Sequence, residues 1–350
     1  MMEIRRCRAS ELQQVMAFIR DHWAQNHVLA HSKSLMDFQH GDPVDGDHSN
    51  WLIALNEGQL AGVLGYIPTR IYDEALRDHS ILWLALWKLD ETISNAGLGI
   101  KMLRAMEKIE RSEAIGVLGI NATHPPMYRA LGYMTGELSQ FVLFGDVGAQ
   151  TVASVPETFS YDGEASGKAS LVRLGSDDLE ASFGNASLGD RAAQLPQKSA
   201  SYFRQRYLDH PVYDYRIFQI NIDDVSRGII VTRMASYNGT HVLRIVDAYC
   251  DPLAFQELNT ALRGLVKECG AEYVDIWQHG IPDQNLETCG FHKVDLLGDL
   301  IVPNFFEPFV LKNGRIEFAM KIRGDESFVL FRGDGDQDRP NETFDEGTLV

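Results

Sequence analysis

The sequence is poor in cysteine, in long apolar runs and in positive charge, and each shortage removes a class of protein. Its four cysteines, Cys7, Cys250, Cys269 and Cys289, stand far apart with no C-x-x-C pair. That excludes a disulfide-stapled scaffold, offers no zinc-ligand spacing and fits reduced thiols in a cytoplasm. No stretch approaches the ~20 apolar residues that a membrane-spanning helix needs. Acids and arginines stand near the start, where a leader would need an apolar core. A cytoplasmic protein with no membrane partner is expected. Lys and Arg total 32 against 49 Asp and Glu, a formal net charge of −17. A nucleic-acid partner is therefore not expected, because phosphate backbones are held by clustered cations. A small anion is a different matter, since a few backbone amides suffice to hold it.

What is present is core material. Of 350 residues, 45% are hydrophobic and 23% charged, a length that suits two domains of about 150 residues each. The chain also repeats itself. Residues 4–7 read as a strand; Ser10 and Gln13 have capping-box spacing, and Leu12, Val15, Met16 and Ile19 follow at helical period. A similar opening returns at residues 171–174, with Asp177, Asp178 and Leu179 entering a helix, so that Arg6 corresponds to Arg173 at an offset of 167. Next comes a hairpin signal, residues 51–55 and 60–67 around Asn56-Glu57-Gly58, matched by residues 215–220 and 228–234 around Asp223 and Asp224. Gly62 and Gly228 correspond at an offset of 166. Each half continues with a third strand (81–89, 241–249), a helix (100–109, 255–266) and another apolar strand (115–120, 273–277). Each then reaches a glycine–aromatic pair, Gly132-Tyr133 or Gly290-Phe291, at an offset of 158. A duplication explains this order. The expectation is a mixed α/β (α+β) chain of two tandem domains, 1–145 and 169–333, each a twisted, mostly antiparallel sheet flanked by helices. Residues 146–168 read as a linker. The polar tail 334–350 reads as a loop, partly disordered.

The stretch Asn95-Ala96-Gly97-Leu98-Gly99-Ile100-Lys101 leads from the third strand into an amphipathic helix. Glycines let a backbone approach a ligand, and free amides at a helix N-terminus attract anions. Lys101, Arg104, Lys108 and Arg111 follow at roughly helical spacing, with Glu107 and Glu110 available to balance them as a plain solvated stripe. A short glycine motif alone is weakly specific.

Its context adds weight. A strand, G-x-G, a helix, a strand ending at Asn121 and then Met127-Tyr128-Arg129-Ala130-Leu131-Gly132-Tyr133 resembles the GNAT acyltransferase superfamily. Its pyrophosphate loop reads Gln/Arg-x-x-Gly-x-Gly/Ala, and a later segment reads Leu-Tyr-x-x-x-Gly-Phe. The resemblance runs from residue 1 to about 142. It matches at Gly97, Gly99, Tyr128, Gly132 and Tyr133, and departs at Ser94, where the family has Gln or Arg. It implies an acyl-CoA co-substrate, acetyl or short-chain, with its pyrophosphate cradled by amides of Ser94, Asn95, Ala96, Gly97, Leu98, Gly99, Ile100 and Lys101. Leu89 and Asn121 join this donor site, at the ends of strands expected to splay and admit the pantetheine. Tyr128 would protonate the departing thiolate; its plain alternative is a core tyrosine with a satisfied hydroxyl. The base stays open among His124, His279 and Asp247, and no cysteine nucleophile or metal is expected. Alignment by the 158 offset sets Leu286 opposite Tyr128 and His279 opposite Asn121. Having also lost the glycine loop, the second copy should not bind coenzyme A but shape the acceptor site or serve as structure.

Two segments suggest an acceptor: residues 22–29 with Trp23 and His27, and the aromatic–arginine run 202–211 with Arg204 and Arg206. With the tail 335–341 they resemble GNAT-type sugar N-acyltransferases of bacterial surface-polysaccharide (O-antigen) biosynthesis, which implies a dTDP- or UDP-linked amino sugar. The alternatives are a peptide or small-metabolite amine, or a non-catalytic acyl-CoA-binding protein. Asp334-x-Asp336-x-Asp338 resembles the start of a calcium loop but lacks its glycine and distant Glu, so it reads as ordinary loop. The oligomeric state is left open.

Overall fold

The repeat in the sequence becomes two sheets of the same strand order in a computed structural model that describes residues 2–145, 150–160 and 166–341. The first half supplies β1 (Met2–Arg8), β2 (His48–Asn56), β3 (Gln59–Pro68), β4 (Ile81–Leu89), β5 (Ala114–Leu118), β6 (Met134–Glu137) and β7 (Ser139–Phe144). The second supplies β8 (Ser170–Leu174), β9 (Tyr215–Ile222), β10 (Val225–Tyr237), β11 (Thr240–Cys250), β12 (Ala271–His279), β13 (His292–Lys293) and β14 (Glu317–Ile322). One sheet runs β1-β2-β3-β4-β5-β14-β6, the other β8-β9-β10-β11-β12-β7-β13. The halves thus trade their last strands. β14 sits between β5 and β6, from Phe318 opposite Leu118 to Ile322 opposite Ala114. β7 sits beside β12, with Tyr273 opposite Phe144 and Gln278 opposite Ser139.

Among the strands named, β4–β5 and β11–β12 alone pair in parallel, because each is joined by a crossover helix, Leu98–Ile109 or Asn259–Glu268. The chain is therefore a mixed α/β protein of two largely antiparallel sheets, as the sequence implied. Because of the exchange, these sheets do not follow the boundaries at 145 and 169. β7 precedes the first boundary yet pairs in the second sheet, and β14 belongs to the second half yet completes the first.

The hairpin turns follow from their residues. Glu57 and Gly58 have φ of 53° and 86°, and Asp223 and Asp224 of 51° and 61°, the left-handed pair that matches strand twist in a two-residue turn. The first helix, Leu12–His22, is entered differently from the expectation at Ser10 and Gln13. A 3-10 turn, Ala9–Glu11, leads into it and is closed by Glu11, whose Oε2 accepts the Arg8 amide at 2.9 Å while both oxygens hold Arg5.

The described part of the tail corrects the sequence reading more sharply. Residues 334–341 form a loop, yet Asp334, Asp336 and Asp338 are buried. Asp338 accepts from Arg233 at 2.7 and 2.9 Å, from Arg332 at 2.9 Å and from the Tyr215 hydroxyl at 2.8 Å. Burial alone would raise its pKa, but the two guanidiniums hold it well below the carboxylate range. Charges removed from water persist only when paired in this way. Residues 342–350 lie outside the described residues.

Candidate functional site

The parallel ladder between β4 and β5 runs from Ile81 opposite Ala114 to Leu84 opposite Val117 and stops there, although β4 continues to Leu89. A bulge explains the divergence. Against β3, Leu64 faces Trp87 while Tyr66 faces Leu84, so β4 carries one extra residue in this span and bends away. The wedge so opened is a cavity of about 770 Å³.

The start of helix Leu98–Ile109 faces this cavity. Gly97 adopts φ +79° as its N-cap, a left-handed conformation that favours glycine. At Gly99 a Cβ would stand 2.7 Å from the Trp87 ring, so glycine lets that indole lie on the helix. Of the eight amides implied by resemblance, three are used internally. Ser94 donates to the Asp90 carbonyl at 3.0 Å, Leu98 to Asn95 at 3.0 Å and Lys101 to Gly97 at 3.1 Å. The amides of Asn95, Ala96, Gly97, Gly99 and Ile100 have no acceptor among the described residues. Lys101, Arg104 and Lys108 are exposed and make no ion pair among the described residues. Their expected counterweights are engaged elsewhere, Glu107 by Lys321 at 3.0 Å and Glu110 by Arg70 at 3.3 Å. The helix therefore presents unbalanced positive charge beside free amides, a setting that attracts phosphate.

Tyr128, on the short helix Pro125–Ala130, reaches the same cavity. Its ring packs edge-on against Tyr133 at 5.3 Å, and its hydroxyl has no hydrogen-bond partner among the described residues. Burial pushes its pKa up to about 12, so it stays protonated at neutral pH. Trp23, Leu89, Gly97, Gly99, Ile100, Asn121 and His124 line this cavity too. His124 is exposed at the N-cap of its helix, and Asn121 Oδ1 accepts from Thr123 in a local turn.

Other expected site residues lie elsewhere. His27 is buried as a helix cap, its Nδ1 accepting the Leu29 amide at 3.2 Å, and burial with Arg339 nearby lowers its pKa to about 3. Arg204 is exposed on its segment. Arg206 is buried and bound to the carbonyls of Gly335 at 2.7 Å and Gly333 at 3.3 Å. Asp247 is fully buried, accepting from Lys198 Nζ at 2.6 and 2.8 Å and from the Tyr207 hydroxyl at 2.6 Å. His279 is half-buried against Phe318 and Phe328, with ring distances of 4.7 and 5.5 Å, and burial lowers its pKa. None of these five lines the open cavity.

The sequence analysis took the tail 335–341 into its family resemblance but gave none of its residues a place in the site; Asp336, Gln337 and Arg339 form one wall of the cavity. Gln337 Nε2 donates to the Leu118 carbonyl at 3.1 Å, capping β5 where its ladder opens. The Asn341 carbonyl accepts the Val28 amide at 3.0 Å and ties the tail to the segment holding Trp23. A signal existed: Arg233 sits in an apolar strand run and Lys198 in an uncharged stretch. Such cations demand distant acids, and the tail supplies them.

The second sheet repeats the wedge. The β11–β12 ladder ends at Ile245 opposite Ile276, and β11 carries an extra residue where Val231 faces Asp247 and Thr232 faces Ile245. Here the gap is filled by the chain itself. Leu330–Phe331 pairs with Gln278 and His279, the Arg332 amide donates to the Trp277 carbonyl at 3.3 Å, and the Gly333 amide donates to Val246 at 2.6 Å.

No protein-family model and no curated protein sequence matches the chain. Solved structures do. A GCN5-related N-acetyltransferase from Anabaena variabilis is 12% identical, with 92% of this chain and 73% of that one covered at a TM-score of 0.54. One from Kribbella flavida is also 12% identical, over 92% and 71% of the two chains, at a TM-score of 0.54. A probable N-acyltransferase from Enterococcus faecalis is 10% identical over 92% and 73%, at a TM-score of 0.53. At such identities the likeness is one of fold, and the chain has the GNAT fold twice over, with its seventh strands exchanged.

Proposed function

We propose that the chain is an N-acyltransferase that uses an acyl-CoA thioester to acylate an amine in the β4–β5 cavity. One observation carries this reading: the wedge opens directly beside the five free amides of the Gly97 loop, with an unpaired, protonated tyrosine on its wall. The amides of Asn95, Ala96, Gly97, Gly99 and Ile100 would hold the pyrophosphate, with Lys101 and Arg104 adding attraction. The pantetheine would lie along residues 85–89, beyond the end of the β4–β5 ladder, where a main-chain amide would polarise the thioester oxygen. The amine attacks the carbonyl carbon, the C–S bond breaks, and Tyr128 gives its proton to the thiolate. Gln337 fills the space beside Gly119, which supports a short acyl group such as acetyl.

The finer reading from the sequence, a dTDP- or UDP-linked amino sugar, draws little support from residues 202–211. Arg206 is bound to main-chain carbonyls in the interior, and the segment gives no residue to the cavity. A simple amine is the reading the geometry favours. The test is thiol release from acetyl-CoA, followed colorimetrically across a panel of amines. Amine-dependent release supports the proposal; none with any amine, despite coenzyme A binding, contradicts it.

A further inference from the structure

Asp336 is the one carboxylate among the described residues that line the open cavity; its charged neighbours there are Lys88 and Arg339. It is only 6% exposed. Its Oδ2 accepts a long hydrogen bond from Arg339 Nε at 3.3 Å, and Oδ1 has no partner among the described residues. The backbone on both sides is fixed. The Gly335 carbonyl is held by Arg206 at 2.7 Å, Gln337 is bonded to Leu118, and Asp338 is locked between Arg233 and Arg332. A half-used carboxylate on a rigid support, facing a cavity, is placed to meet a cation. Trp23, 52% exposed on the same cavity, adds a ring face of the kind that attracts organic cations.

We infer that Asp336 receives the acceptor nitrogen and that the acceptor is a cationic primary amine rather than an anionic nucleotide conjugate. This rests on the acyltransferase reading above. The ammonium pairs with Asp336 and releases one proton to water. The neutral nitrogen attacks the thioester carbon, forming C–N, and its surplus proton passes to the Asp336 carboxylate as C–S breaks. Tyr128 protonates the sulfur. Asp336 then loses its proton to water and the tyrosinate regains one, so amine and thioester become amide and thiol.

The experiment compares two acceptors at saturating acetyl-CoA: an alkyl diamine, charged at neutral pH, and hydroxylamine, uncharged there and measured above its no-enzyme rate. Asp336→Asn lowers kcat/KM about 100-fold for hydroxylamine, which loses the proton acceptor, and about a further tenfold for the diamine, whose ammonium loses its charged partner as well. Coenzyme A affinity, read by calorimetry, stays the same and reports that the variant is folded. Trp23→Ala, at an exposed side chain, raises KM for the diamine about threefold and leaves hydroxylamine unaffected. Equal losses on both acceptors, reproduced by Arg339→Gln, would mean that Asp336 only positions the wall and would overturn the inference. So would faster turnover of a dTDP- or UDP-linked amino sugar than of any simple amine. Wild-type protein that binds coenzyme A yet acylates nothing would instead bring down the acyltransferase reading, and this inference with it.

Discussion

The two clefts are made by one device and end in opposite states. In each sheet a parallel ladder ends where the fourth strand, β4 or β11, bulges, so opening the sheet is a property of the fold. What differs is what meets the gap. In the first half it faces Gly97-Leu98-Gly99 and free amides. In the second, Asp251 stands where the glycine loop would be, its own carboxylate accepting the Leu253 amide at 3.0 Å. A fixed anion there both uses an amide and repels a phosphate. Residues 330–333 then fill the gap, and the same segment runs on to wall the first cleft with Asp336, Gln337 and Arg339. The segment that fills the second gap thus also supports the wall of the first.

Breaking the support should give the largest effect. Asp338→Asn leaves Arg233 and Arg332 buried with a neutral partner and should cost about 3–5 kcal/mol of stability, as for other broken buried pairs, read from chemical denaturation. Asp247→Asn strips Lys198 of a carboxylate and should act similarly. Its folded fraction should keep kcat within about twofold, separating Asp247 from a base whose loss costs at least 100-fold. Breaking the open cleft comes next. Gly97→Glu puts a carboxylate beside the free amides at a φ that side chains disfavour by about 1–2 kcal/mol. Coenzyme A affinity in calorimetry should fall more than about 100-fold, on the scale of a lost anion site. Tyr128→Phe should lower kcat about 100-fold, within the range for a general acid, and leave coenzyme A affinity unchanged. The smallest effect belongs to the helix charges. Lys101→Ala with Arg104→Ala should weaken coenzyme A binding about threefold to tenfold, less at high salt, since exposed charges contribute little each.

Much of the fold was legible because it is local. Glu57-Gly58 and Asp223-Asp224 fix their turns by their own backbone preferences, and Leu98, Met102, Leu103 and Met106 bury one helix face at helical spacing. The glycine loop at the helix start was legible for the same reason, since a glycine pair there needs no distant partner. The strand exchange was not. Residues 139–144 and 317–322 are short apolar strands that either sheet could accept, and nothing within them names the partner. The tail misled because its acids are paired across the fold. Asp338 meets Arg233 105 positions away, and Lys198 meets Asp334 and Asp247. Read alone, such a stretch looks solvated. Arg206 misled in the opposite direction: beside aromatics it looked like a nucleotide clamp, but it closes the turn at Gly333 and Gly335.

The central claim is that one cleft is open and the other is filled by its own chain. Calorimetric titration of the protein with coenzyme A tests it most directly. The account predicts one saturable site per chain, lost in Gly97→Glu. Two sites per chain, or one that survives Gly97→Glu in folded protein, would contradict it.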